Sequence, residues 1–317
     1  MRGFFQRYEG NPIIKPDNKY WRSLCTFNPG AIELKGAVYI LFRAMSDDMT
    51  STIGLAISKN GLDVIDILDE PIYSPRENFE MKLQPGHSGC EDPRLVIVGE
   101  RILMFYTAYD GIHHPKVAYT WIYVDDFLEL EWNWAKPKLV SPLDIDDKDA
   151  CIIPQRFNEG FFFIHRAGGV NMVYDYIYDL DNVDTRKLNS FKLMRPRPGL
   201  WDCKKVGLAS PPLKLRDGWL TFYHGVSHDN VYRVGAILLD LYRPSQVLSR
   251  TFEPLLSPEA WYEKKGYVNN VVFPCGAIIR DETVYLYYGG ADKYVCVATA
   301  SLRELMMTLK GEQNQGQ

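Results

Sequence analysis

The sequence predicts an all-β fold, a five-bladed β-propeller with a short C-terminal helix, and three observations carry that prediction. Five segments share one grammar: 27-FNPGAIELKGAVYILFRA-44, 91-EDPRLVIVGERILMFYTAYDG-111, 149-DACIIPQRFNEGFFFIHRAGG-169, 208-LASPPLKLRDGWLTFYHGV-226 and 270-NVVFPCGAIIRDETVYLYYGGAD-292. Each runs from polar or small residues through a proline to a short strand, a Gly or charged turn and an aromatic-rich strand. The prolines Pro29, Pro93, Pro154, Pro212 and Pro274 stand 64, 61, 58 and 62 positions apart. Such a period leaves room for about four short strands per repeat, the size of a propeller blade. Helical periodicity, about 3.6 residues, shows only near the C-terminus. Five repeats fill nearly all of the 317 residues, so a single domain over 1–317 is expected.

The elements follow in order. The N-terminal segment 11-NPIIKP-16 is expected to supply a strand that closes the ring. In the second repeat the run Leu95–Val98, the turn Gly99–Glu100 and the run Ile102–Tyr106 read as a hairpin. There, β-branched and aromatic residues flank a Gly-centred break. The segment 232-YRVGAILLDLYRP-244 reads as an outer strand pair of the fourth blade. The last strand, in 294-YVCVATASL-302, runs into a helix over 301–311. Ser301 opens that helix with Glu304 three residues later, a capping-box pattern. The tail EQNQGQ is expected to be disordered.

Proline cannot donate to a β-ladder, so each repeated proline is expected at a strand's first residue or at an edge. The polar clusters Arg43, Tyr106–Asp110, His165–Arg166, Tyr223–His224 and Tyr288–Asp292 then share one end of their hairpins with the residues before the prolines. If these strands are the inner ones, all five clusters converge on the mouth of a central channel. The charged run Glu91, Asp92, Pro93, Arg94 would be part of a pocket wall.

Composition narrows the function. An apolar fraction of 46% with 13% aromatic residues suits a large buried core. A net charge of −4 gives no basic footprint for nucleic acid or an anionic membrane surface. No run of about 18 apolar residues exists to span a membrane, and the N-terminus has no apolar signal core. The six cysteines lie singly, as buried reduced thiols of a cytoplasmic protein would. No metal site is expected, because His113–His114 is not a ligand spacing.

Asp92 and Glu91 are the first candidates. One of these carboxyl groups could serve as a general acid, its pKa raised by partial burial and by the neighbouring acid. The alternative is that either acid pairs with an arginine or caps a turn. Arg43, Lys148, Arg166, Lys205 and His224, gathered from four blades with few counter-charges nearby, would form an anion site suited to phosphate. Tyr106, Tyr109, Tyr223, Tyr287, Tyr288 and Trp201 suit sugar faces, and equally suit packing between blades.

The sequence resembles glycoside hydrolase family 130, the mannoside phosphorylases and related β-mannosidases. The resemblance covers residues from about 11 to 305. It rests on 28-NPGAI-32 with Arg43–Ala44, 91-EDPR-94, 106-YTAYDG-111, 148-KDA-150, 165-HR-166, 219-WLTFYHGV-226 and 287-YYGGAD-292. It implies a five-bladed propeller and makes Asp92 the acid, protonating the glycosidic oxygen through a hydroxyl of the mannose ring. Asn28, Arg43 and Asp292 are implied mannose ligands; Glu91, Tyr106 and Asp149 complete the expected sugar-binding set. Two departures touch the phosphate and acceptor regions. The family's LFPEK stretch is here 152-IIPQR-156, and Arg166 sits in HRAGG without the usual proline.

An inverting hydrolase needs a second carboxylate to activate water, whereas a phosphorylase needs only the acid. Lys148, Arg166, Lys205 and His224 favour phosphate, and Glu159, a candidate base, falls in a predicted turn. The expected reaction is inverting phosphorolysis of a β-mannoside to α-mannose 1-phosphate. Inorganic phosphate is the co-substrate, and no other cofactor is expected. The competing readings are a β-mannosidase of the same family, a furanosidase-type propeller glycosidase and a non-catalytic sugar-binding propeller. Expected partners are a β-mannoside oligosaccharide and phosphate; a homo-oligomer is compatible with the sequence. Acceptor choice is assigned to loops such as 45-MSDDMTST-52, 112-IHHPK-116 and 170-VNMVYD-175.

Overall fold

A computed structural model describes residues 3–142, 144–158 and 160–313, so Glu159 and the last four residues of the expected disordered tail lie outside the described residues. The chain is mostly β, and its strands form five antiparallel units in sequence order. The first unit comprises Cys25–Leu34, Ala37–Met45, Thr50–Ser58 and Val64–Ile67. The second comprises Ser88–Val98, Arg101–Tyr109, Lys116–Tyr123 and Lys138–Leu139; Thr50 and Ser51 pair with Ser88 and Gly89 in parallel and join the two. Cys151–Phe157, Gly160–His165, Met172–Ile177 and Phe191–Met194 make the third. In the fourth, Lys205–Leu208 and Leu213–Leu215 both pair with Gly218–Val226, followed by Tyr232–Leu239 and Val247–Arg250.

The fifth unit contains Val272–Arg280, Thr283–Gly290 and Tyr294–Ser301, and the N-terminal pair Gln6–Arg7 completes it against Thr299 and Ala298. The segment expected to close the ring, 11–16, contributes only the single bridge Ile14 to Val295. Helix Leu302–Gln313 follows the last strand, and the Ser301 hydroxyl accepts from the Glu304 amide at 3.3 Å, as its capping position predicts. The helix runs into the expected tail as far as Gln313. The expected outer strand pair at 232–244 is one strand, Tyr232–Leu239, and a turn; its partner lies further on, at Val247–Arg250.

The prolines correct one expectation. Strand Ser88–Val98 starts before the charged run, so Glu91–Arg94 lies inside it, not ahead of it. Register slips between Phe27 and Gly30, Glu91 and Arg94, Ile152 and Arg156, and Pro274 and Gly276. In the fourth unit the first strand is broken outright around Pro212. A bulge leaves residues outside the ladder, where a missing N–H costs nothing; Pro29, Pro93 and Pro154 are such residues, whereas Pro274 stays opposite Tyr288 and Cys275 is left out. The residues before two of these prolines, Asn28 (φ 47°) and Asp92 (φ 56°), adopt the left-handed conformation that short polar side chains tolerate. The bulges therefore re-aim particular side chains instead of starting strands.

Two glycines mark where the first strands abut. A Cβ on Gly30 would lie 2.4 Å from the Pro93 carbonyl oxygen, and one on Gly276 would lie 2.4 Å from the Ala31 amide nitrogen. Apolar clusters fill the spaces between neighbouring units, for example Phe105 and Tyr119 of the second against Phe163 of the third. Truncating a buried ring such as Phe105 would cost about 3–5 kcal/mol. Among the described residues no helix is long and apolar enough to cross a membrane.

Candidate active site

The bulged strands and the strand ends beside them wall a cleft of about 420 Å³. One wall comes from the first, second and fifth units. The Asp92 Oδ1 accepts from the Asn28 side-chain amide at 2.9 Å and from Arg43 at 3.3 Å. Arg43 also donates to Glu91 at 2.9 Å and to the Ser51 hydroxyl at 2.9 Å, and lies 4.6 Å over the Phe27 ring. Lys148 reaches the other Glu91 oxygen at 3.2 Å. Burial alone would push the Glu91 carboxyl up; Arg43 and Lys148 outweigh it and hold the group below its usual range. Asp292 completes this wall, with burial and then the charge of Asp92 pushing its carboxyl up to about 7. Near neutrality Asp292 is therefore protonated in a large share of molecules and can donate to a sugar oxygen.

The facing wall comes from the third and fourth units. Asp149 is its hub: one oxygen accepts from Arg94 at 3.2 Å, the other from Arg166 at 2.6 Å, and His224 Nε2 stands 3.6 Å away. Burial alone would raise the Asp149 carboxyl; the guanidinium groups of Arg166 and Arg94 hold it far below the usual range. Both oxygens are engaged by protein cations, so Asp149 holds Arg166 in place, where a sugar contact was expected. Arg94 is fixed in turn by the Leu208 and Ala209 carbonyls, each at 2.8 Å. Lys205 lies 5.0 Å over the Tyr232 ring, and burial with the charges of Arg166 and Lys148 pushes its ammonium down to about 8.

His224 corrects another expectation. Burial pushes its imidazole down to about 3, so the ring is neutral at physiological pH and adds no positive charge. Among the described residues neither ring nitrogen has a hydrogen-bond partner, and Phe273 packs 4.6 Å from it. Nor is the cleft poor in counter-charge. The cations Arg43, Lys148, Arg166 and Lys205 share it with Glu91, Asp92, Asp146, Asp149 and Asp292. Any preference for an anion must come from how the charges are distributed.

The structure brings Asn28, Arg43, Glu91, Asp92, Lys148, Asp149, Arg166, Lys205, His224 and Asp292 together in this cleft. Tyr106 is the exception and is withdrawn as a sugar ligand. It is 2% exposed, away from the lining, with its hydroxyl bonded to Glu80 and to Tyr73. Tyr223, Tyr287 and Tyr288 are likewise packing residues, with hydroxyls bonded to Asp202, Gly61 and Glu263. The aromatic lining is instead Tyr232 and Phe273. Sequence reasoning passed over both, together with Asp146. Phe273 had a signal: it precedes Pro274 just as Asn28 and Asp92 precede their prolines. Gly207 and Gly289 were also missed. A Cβ would fall 2.5 Å from His224 Cε1 at the first and 2.1 Å from Asn28 Oδ1 at the second, so only glycine permits these packings. Of the expected specificity loops, 170–175 is largely strand, since Met172–Ile177 begins within it.

An acid held by an arginine and an amide, facing a cluster of cations across a polar cleft, defines a carbohydrate-active enzyme that cleaves glycosidic bonds. The family model described as beta-1,4-mannooligosaccharide phosphorylase, of glycoside hydrolase family 130, matches residues 5–311. The chain belongs to glycoside hydrolase family 130. It is 32% identical to a 1,2-beta-oligomannan phosphorylase of Thermoanaerobacter sp., over 95% of this chain and 98% of that one. A beta-1,2-mannobiose phosphorylase of the same organism is 33% identical, over 92% and 95%. Among solved structures, the beta-1,2-mannobiose phosphorylase of Listeria innocua in complex with beta-1,2-mannobiose superposes with a TM-score of 0.81. It is 26% identical and covers 98% of this chain and 100% of that one.

Proposed function

We propose that the chain is an inverting β-mannoside phosphorylase that acts on β-1,2-linked manno-oligosaccharides and yields α-mannose 1-phosphate. The observation that carries this reading is the pair of unequal walls: an acid in a hydrogen-bonded set on one side, and on the other His224, unpartnered among the described residues, beside Lys205 on the face of Tyr232. Asn28 and Arg43 orient Asp92 beside the mannose, and Asp92 supplies the proton that reaches the glycosidic oxygen through a ring hydroxyl. Asp292 binds sugar hydroxyls, and Glu91, whose two oxygens hold Arg43 and Lys148, positions those cations where a sugar contact was expected. Lys148, Arg166, Lys205 and the neutral His224 hold phosphate on the opposite face, aimed at the anomeric carbon. One displacement inverts that centre. The reading asks for no cofactor beyond phosphate. The β-1,2 linkage is supported by the full-length relatives that act on it.

The test is product analysis of β-1,2-mannobiose cleavage with and without phosphate. Saturable dependence on phosphate with α-mannose 1-phosphate as product is expected. Free mannose at the same rate in phosphate-free buffer would refute the reading. A panel of β-1,2-, β-1,3- and β-1,4-mannobiose tests the linkage. One observation favours hydrolysis as the second reading. Asp146 lines the cleft, and among the described residues its buried Oδ1 has no hydrogen-bond partner, as suits a water-activating base.

The five units are proposed as the blades of a closed five-bladed propeller. The abutting first strands support this, as do the N-terminal strand on the last sheet and the reach of Arg94 from the second unit to the fourth. Six free cysteines, five of them buried, fit a cytoplasmic enzyme.

A further inference from the structure

His165 takes no part in the reaction outlined above, yet both its ring nitrogens are held beside the phosphate wall. It is fully buried, and each ring nitrogen faces a carboxylate: Nδ1 lies 2.9 Å from Asp147 and Nε2 lies 3.0 Å from Asp175. An ionised carboxylate only accepts, so both nitrogens must donate, and a ring that donates twice is an imidazolium. With both carboxylates ionised, the geometry thus fits a positive charge here. Burial opposes that charge, but Asp147 and Asp175 outweigh it and push the pKa up to about 9. Phe163 stacks on the ring at 4.5 Å. Asp175 is itself pinned by the Asn189 and Ser190 amides at 2.8 and 3.0 Å.

The neighbours in sequence give this buried charge its meaning. Asp147 precedes Lys148, and His165 precedes Arg166; the Arg166 amide also donates to the Lys148 carbonyl at 2.9 Å. Two short segments, Asp147–Lys148–Asp149 and His165–Arg166, are therefore cross-linked three times: ring to carboxylate, backbone to backbone, and guanidinium to carboxylate at 2.6 Å. The outer cross-link fixes the segment from which Lys148 and Arg166 project. We propose that His165 is a positioning residue: as an imidazolium wedged between Asp147 and Asp175, it sets the aim of Lys148 and Arg166 and hence the affinity for phosphate. This inference rests on the phosphorylase reading. The charged groups that face the ring are Asp147 from the loop before the third unit and Asp175 from strand Met172–Ile177.

The experiment has two arms. In the first, ¹H–¹⁵N spectra of the wild-type imidazoles, with His165→Gln for assignment, report the ring's protonation. Both nitrogens protonated at pH 7.5 is expected, and a neutral ring there would overturn the proposal whether or not the variant folds. In the second, β-1,2-mannobiose phosphorolysis is followed at varied inorganic phosphate. His165→Gln keeps one donor and loses the charge; it should raise the phosphate KM by about tenfold to a hundredfold, the scale of a misplaced binding group. The mannobiose KM should move by less than about threefold. Asp175→Asn should shift the alkaline rise of the phosphate KM to lower pH, because the ring then loses its proton earlier. An unchanged phosphate KM in folded His165→Gln, or equal losses for both substrates, would mark His165 as merely structural. Wild-type turnover without phosphate is a separate outcome that sinks the phosphorylase reading, while the spectra still report the ring's charge.

Discussion

On the wall built by the first, second and fifth units, charges meet partners: Arg43 joins Asp92, Glu91 and Ser51, and Lys148 reaches over from the phosphate side to Glu91. Across the cleft, Arg166 is held by Asp149 and the Gly169 carbonyl, but Lys205 rests only on the face of Tyr232 and both His224 nitrogens are unsatisfied among the described residues. The contrast teaches what each wall is organised to meet. Neutral sugar hydroxyls fit a pre-bonded set that gives and takes hydrogen bonds without changing its charge. An anion fits groups that lack acceptors until it arrives. A protein pays for such unpaired buried donors with stability, by roughly 1–3 kcal/mol per group.

Three changes would break or sharpen that contrast. The largest effect is expected for Asp92→Asn, which keeps the side chain's shape but removes its proton. Turnover should fall by about 10²–10⁴, the scale of one general acid, with an unaltered circular dichroism spectrum. Retention of a third of wild-type turnover would remove Asp92 from the acid's role. Next comes the phosphate wall. Arg166→Ala should raise the phosphate KM by about ten- to a hundredfold, since a charged hydrogen bond contributes about 1.5–3 kcal/mol. The mannoside KM should move far less, and equal changes in both would mean that the walls are not separate.

The smallest effect is a pH limb. A pKa of about 8 means that Lys205 loses its charge as pH rises through that value. Phosphate binds the charged form, so the phosphate KM should climb a few-fold across this window and return as pH falls. In Lys205→Arg the charge persists, because guanidinium does not titrate there, and the climb should flatten. A limb near pH 8 that survives in the variant would belong to another group, while the later rise set by His165, near pH 9, should remain.

Much of this was legible in the chain because it depends on spacing. Prolines recurring near every sixty residues marked five units, and the residues before them at Asn28, Asp92 and Phe273 mark cleft positions. Tyr106 misled because an aromatic at the end of a hairpin reads the same whether its hydroxyl meets a ligand or Glu80. His224 misled for a related reason. Its residue type allows a charge, and only its surroundings remove it.

By itself the sequence determined the strand-rich repeat, the position of its breaks and the residue types brought to one end of each unit. These follow from local properties: side-chain alternation, turn residues and the missing N–H of proline. Tertiary structure alone decided which of those residues pair. Asp149 became the partner of Arg94 and Arg166, and burial among different neighbours pushes the imidazole of His165 up and that of His224 down. The reason is physical. A charge state is set by burial and by neighbours a few ångströms away, and those neighbours lie 10 residues apart in the chain for His165 and Asp175 and 55 apart for Arg94 and Asp149, on separate strands and loops that only the fold brings together.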